Sequence, residues 1–114
     1  MNIATYRHGI QLFNSRAFFD AHEVWEDVWR GAEGLEKKFL QGLIQVAVAF
    51  HHYSMGNLAG ARSLLERSSK NLAGYPECYA GIRVTALLES LAKWRTALST
   101  GGPNPAFPEI QEIK

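Results

Sequence analysis

The sequence predicts an all-α protein, a single-domain bundle of about five helices in antiparallel hairpins. Three observations predict it. Apolar residues recur every three or four positions through most of the chain. Glycine-containing breaks separate these periodic stretches at Gly31–Gly34, Gly56–Asn57 and Gly74–Glu77. No stretch alternates apolar and polar residues as a half-buried strand does. The 114 residues suit one domain, and no shift in composition divides them.

A first helix is expected from Ile3 to about Phe13, with Tyr6, Ile10 and Phe13 inward. Asn14-Ser15 makes a turn, and either residue can cap the next helix. That second helix runs from about Ala17 to Arg30, burying Phe18, Ala21, Trp25 and Val28 and exposing Asp20, Glu23, Asp27 and Arg30. The third, about Leu35 to Met55, is apolar nearly all round from Phe39 to Phe50, the mark of an enclosed central helix. Gly56-Asn57 reads as a stop and then a cap for a fourth helix, about Leu58 to Leu72. A last helix covers about Ile82 to Ser99, with Leu87, Leu91 and Trp94 on its apolar stripe. The domain thus covers residues 1–100; residues 101–114 form an extended, proline-spaced tail with Phe107 as its anchor.

Composition excludes several functions. Twelve basic residues against 11 acidic ones leave a net charge of +1, without the basic excess of a nucleic-acid binder or the polybasic run that an anionic membrane attracts. The longest apolar run, Val46–Phe50, falls far short of the roughly 20 residues that span a bilayer, and Met1–Gly9 lacks a signal-peptide core. The lone Cys78 allows no intrachain disulfide and has no flanking cation to activate it. A cytoplasmic protein is the expectation.

The chemistry concentrates on two helices. On the second, His22, Glu26 and Trp29 fall within roughly 60° of one another at about 100° per residue. Spacing of four lets an imidazole and a carboxylate hydrogen-bond or share a metal ion. On the third, Gln41, Gln45 and His52 form a polar stripe on an otherwise apolar helix, with His51 beside it. Buried polar groups need partners, because an unpaired one costs about 1–3 kcal/mol. The expectation is that His22, Glu26, Gln41, Gln45 and His52 converge on one pocket edged by Trp29. Three readings fit it. The first is a structural hydrogen-bond network. The second is a divalent-metal site for zinc, iron or manganese, with His22, Glu26 and His52 or His51 as ligands; the third is a metal-free general-base pair. The stripe favours His52 over His51. The H-E-x-x-E pattern at His22 lacks the second histidine of the zinc-protease H-E-x-x-H.

The stretch from Phe18 to Arg30, containing His22, Glu26 and Trp29, resembles the domain-of-unknown-function family 309 with its H-x-x-x-E-x-x-W or Y motif. A second match runs from Leu40-Gln41-Gly42-Leu43-Ile44-Gln45 through His51-His52 to Gly56–Ala61. The resemblance implies a small helical protein in which His22, Glu26 and Trp29 carry the suspected metal-binding role. Two positions depart from the family: Arg16 stands where relatives often have glycine, and Arg83 where they often have an acid. From a different class, Gly56–Pro76 also looks like half of a tetratricopeptide-type hairpin, which would make the chain a protein-interaction module. No repeat of about 34 residues supports that reading. A homo-oligomer or a protein partner is compatible with the enclosed third helix.

Overall fold

The computed structural model describes residues 1–113. Among them it shows five helices: α1 (Ile3–Asn14), α2 (Phe18–Arg30), α3 (Gly34–Ser54), α4 (Leu58–Leu72) and α5 (Val84–Thr100). Each helix packs against its neighbour in sequence up to α4, so α3 contacts both α2 and α4. That central position explains its composition: Phe39, Leu40, Leu43, Ile44, Val46, Ala47, Ala49 and Phe50 are all buried. The α1–α2 and α3–α4 hairpins differ in length, with helices of 12 and 13 residues against 21 and 15.

Two close approaches set the helix spacing. At Gly9 in α1, an added Cβ would land inside the indole of Trp25 in α2. The missing side chain lets Trp25 bury fully and donate its Nε1–H to the Tyr6 carbonyl, 3.1 Å away. At Gly42 in α3, a Cβ would lie 2.7 Å from the Leu72 side chain of α4.

Side chains cap two of these five helix starts and leave the other three uncapped. Asn2 caps α1 by accepting from Thr5 N–H, and Asn57 caps α4 by accepting from Gly60 N–H. Neither Asn14 nor Ser15 caps α2, which begins after Ala17 without a side-chain cap. Asn14 is used elsewhere: its amide donates to the Ile110 carbonyl and accepts from the Ile110 N–H, at 3.0 and 2.8 Å.

Those two bonds belong to the tail. Residues 101–113 are extended but packed along the bundle. Phe107 lies against Phe18, Phe50, Tyr53 and Trp94, and Ile110 is buried. The Trp94 Nε1–H donates to the Ala106 carbonyl at 2.9 Å. Two strands too short to show alternation, β1 (Cys78–Tyr79) and β2 (Ile82–Arg83), pair antiparallel before α5, so that helix starts at Val84 rather than Ile82. Their turn, Ala80-Gly81, has φ of 49° and 75°, the left-handed pair that tight hairpins favour. Ile82 also bridges to Glu112, joining the tail to the hairpin.

Arg16 occupies the left-handed region, φ 67°, a conformation that glycine adopts without strain. Its guanidinium sits 4.9 Å from the Phe107 ring centroid. Glycine would relieve about 1 kcal/mol of backbone strain but lose a cation–π contact of about 0.5–1 kcal/mol and loosen the unfolded chain. Arg16→Gly is therefore expected to leave stability within about 0.5 kcal/mol of the parent in urea unfolding, the opposing terms nearly cancelling. Arg16→Val, which keeps the strain and loses the contact, should cost about 2 kcal/mol.

Candidate functional site

Helix α2 carries a clean division of faces. Phe18, Ala21, Trp25 and Val28 enter the core, while Asp20, Glu23, Asp27 and Arg30 are exposed. His22, Glu26 and Trp29 lie at the boundary, each partly buried. The His22 ring is fixed from both sides. Its Nδ1 lies 2.6 Å from the Phe19 carbonyl oxygen, and its Nε2 lies 3.2 Å from Glu26 Oε1. A carbonyl can only accept, so Nδ1 carries the proton in that bond. The other ring nitrogen, Nε2, is left beside a carboxylate oxygen. An imidazole nitrogen and a carboxylate oxygen this close can share a cation.

The surroundings define the pair further. Arg30 lies 3.7 Å from Glu26 Oε2 and also pairs with Asp27. The Phe19 ring, half exposed, stands edge-on to His22 with centroids 4.9 Å apart and lies 5.2 Å from the His51 ring of α3. Trp29 packs toward the start of α3, where Lys37 Nζ sits 4.2 Å above its ring.

The structure brings together only part of the expected pocket. His22 and Glu26 meet. Gln45 and His52 do not join them: Gln45 Oε1 accepts from Asn71 of α4 at 2.7 Å, and His52 Nδ1 faces the amide of Asn57, the α4 cap, at 3.4 Å. Gln41, partly buried, begins the same stripe one turn before Gln45. Among the described residues no three His, Cys, Asp or Glu side chains are grouped to hold a metal, and His52 is not grouped with the His22–Glu26 pair. The reason is angular. Lys37 and His51 mark the side of α3 that faces α2, whereas Gly42, against Leu72, marks the side that faces α4. At about 100° per residue, Gln45 and His52 fall between those sides, and asparagines of α4 satisfy them. Of the two adjacent histidines, His51 is therefore the one on the α2 side, contrary to the stripe argument.

Two contributors are invisible in the sequence. One is the Phe19 carbonyl, a backbone group whose use depends on the His22 rotamer. The other is Lys37, whose stacking on Trp29 depends on how α2 and α3 cross. Three surface grooves of 330 to 570 Å³ lie among the described residues, and neither His22 nor Glu26 lines those three. The pair itself is partly covered, its His22 and Glu26 side chains 17% and 39% exposed. Among the described residues no helix is long and apolar enough to cross a membrane.

Residues 6–64 match the family model described as "Domain of unknown function (DUF309)". The chain is similar to an uncharacterized protein of Aquifex aeolicus (strain VF5), 28% identical over 100 residues, covering 87% of this chain and 29% of that protein. It is also similar to the uncharacterized protein YpuF of Bacillus subtilis (strain 168), 33% identical over 64 residues, covering 55% and 37% respectively. The chain spans about a third of the length of these curated relatives. The family match holds His22, Glu26, Trp29 and both α3 histidines, and ends within α4. With more than half of its residues inside that match, this chain belongs to the DUF309 family, whose activity is unknown.

Proposed function

We propose that this domain binds a divalent cation through His22 Nε2 and the Glu26 carboxylate. The observation that carries the reading is the placement of His22: Nδ1 is committed to the Phe19 carbonyl, and Nε2 lies 3.2 Å from Glu26 Oε1. Metal-bound histidines commonly hold their other nitrogen on a backbone carbonyl in this way, which fixes the tautomer and the ring plane. With metal bonds of about 2.1 Å, a 3.2 Å separation subtends about 100° at the ion, close to a tetrahedral angle. Imidazole plus carboxylate suits zinc, iron or manganese, and a bound ion would supply Lewis-acid chemistry at its open positions. The exposed carboxylates of Asp20, Glu23 and Asp27 on the same helix favour a cation nearby.

One competing reading has the same geometry behind it. Both His22 partners lie on its own helix, so a ring protonated at both nitrogens would bridge Phe19 and Glu26 as a helix-stabilising network. Titration calorimetry separates the two. Metal-stripped protein is expected to bind zinc, and His22→Ala to lose about 100-fold or more in affinity with helicity retained, given that even outer-shell partners are worth 10–100-fold. A parent protein that takes up no zinc, or a His22→Ala variant that binds it equally well, leaves only the network.

A further inference from the structure

We infer that the groove between α1 and the tail is a peptide-binding site, in which an extended backbone pairs with the N–H and C=O of Glu112 while an apolar side chain rests between Ile3 and Ile113. The site shares no residue with the His22–Glu26 pair and stands apart from the cation reading. The register of the tail on β2 leaves Glu112 free for this. The Ile113 N–H donates to the Gly81 carbonyl and the Arg83 N–H to the Gln111 carbonyl, at 2.8 and 3.0 Å. These bonds flank Ile82 and Glu112 and make them a non-hydrogen-bonded pair, whose backbone groups turn away from each other. Those of Ile82 turn toward β1, and those of Glu112 toward the outer edge of the tail. No backbone hydrogen bond among the described residues engages the Glu112 N–H or C=O.

The same edge shows what such a pair of groups takes. Two residues earlier, Ile110 is turned the same way, and the Asn14 side chain of α1 meets it. That carboxamide donates to the Ile110 carbonyl at 3.0 Å and accepts from its N–H at 2.8 Å. A carboxamide carries the donor and acceptor of a peptide group. An added strand would repeat at Glu112 the two bonds that Asn14 makes at Ile110, the mode of recognition in which a peptide extends a sheet edge. Room and charge agree with it. A groove of 570 Å³ lies here, lined by Ile3, Tyr6 and Arg7 of α1, by the β1–β2 turn and by the tail. Ile3 and Ile113 are 59% and 40% exposed although large and apolar. The two charges, Arg7 and Glu112, are spent on each other in an ion pair of 2.9 Å. Apolar walls with neutralised charges suit an uncharged stretch of extended peptide rather than a charged terminus.

Amide chemical shifts of the full chain test this, with the blocked peptide acetyl-glycyl-leucyl-glycine amide titrated to millimolar concentration. The Glu112 amide is expected to shift on binding and to exchange with solvent more slowly, while amides of α3 hold still. A probe with an ester oxygen in place of the leucine N–H is expected to bind about fivefold more weakly, the effect of one lost hydrogen bond. Ile3→Glu places an acid in the first turn of α1, where it suits the helix end and should not disturb folding. It is expected to weaken the peptide at least tenfold by putting a charge where the leucine side chain rests. A Glu112 amide unmoved by the peptide overturns the proposal, as does an ester probe or an Ile3→Glu variant that binds equally well. A Glu112 shift that follows protein concentration alone assigns the edge to a second copy of the chain and overturns it too.

Discussion

Replacing Trp25 by alanine is expected to lower the free energy of unfolding by about 4 kcal/mol, the range for large aromatic truncations in a core. Trp25 has no exposed surface, and its ring lies 6.0 Å from Phe13 at the crossing of α1 and α2. Alanine would leave a cavity that Gly9, having no side chain to move, cannot fill. The indole hydrogen bond to the Tyr6 carbonyl is the smaller part, about 1 kcal/mol. Trp25→Phe should therefore retain much of the stability. Guanidinium unfolding should show a lower midpoint for the alanine variant at nearly unchanged slope, because the surface exposed on unfolding barely alters. A loss below about 1.5 kcal/mol would mean that this crossing is not packed as described.

The second large effect lies in the tail. Phe107→Ala is expected to cost about 3 kcal/mol even though the residue is only partly buried. Its ring stacks on Trp94 at 5.4 Å and lies within 6.0 Å of the Phe18, Phe50 and Tyr53 centroids, so one side chain ties α2, α3 and α5 to the strap. Removing it should also free hydrogen bonds further along: Ile110 N–H to Asn14, Arg83 N–H to Gln111 and Ile113 N–H to Gly81. Hydrogen exchange measures that directly. Those three amides should exchange faster in the variant by more than global destabilisation explains, while amides of α3 track global stability alone. Equal effects on both groups would show the tail and bundle unfolding as one unit.

Much of the helical framework is legible because burial leaves a period in the sequence. The ends of α2 and α4 can be placed to within a residue, since Trp25 and Leu65 lie on stripes continuous from one end to the other. The β1–β2 hairpin is not legible: two residues per strand carry no period. The tail reads as extended, and its anchor Phe107 is visible as a lone aromatic among prolines. Its bonds to Asn14 are hidden, because they join positions 96 residues apart and divert a side chain that otherwise reads as a cap.

The candidate site is half legible. The spacing of His22 and Glu26 is a property of one helix, and the structure keeps them together. Convergence with Gln45 and His52 depends on which neighbour their stripe faces. Helical periodicity gives the angle between residues on one helix but not the direction of the next. Asn71 and Asn57 on α4 claim those two groups. The same ambiguity decides between His51 and His52, which differ by one position and by about 100° of rotation.

A divalent cation held by His22 and Glu26 is most directly tested by X-ray absorption at the zinc edge, on protein loaded with substoichiometric zinc. The expected spectrum shows nitrogen and oxygen neighbours at about 2.0–2.1 Å and an imidazole scattering signature, and that signature is lost in His22→Ala. An unchanged spectrum in His22→Ala, or a sulfur neighbour at about 2.3 Å from the exposed Cys78, would contradict it.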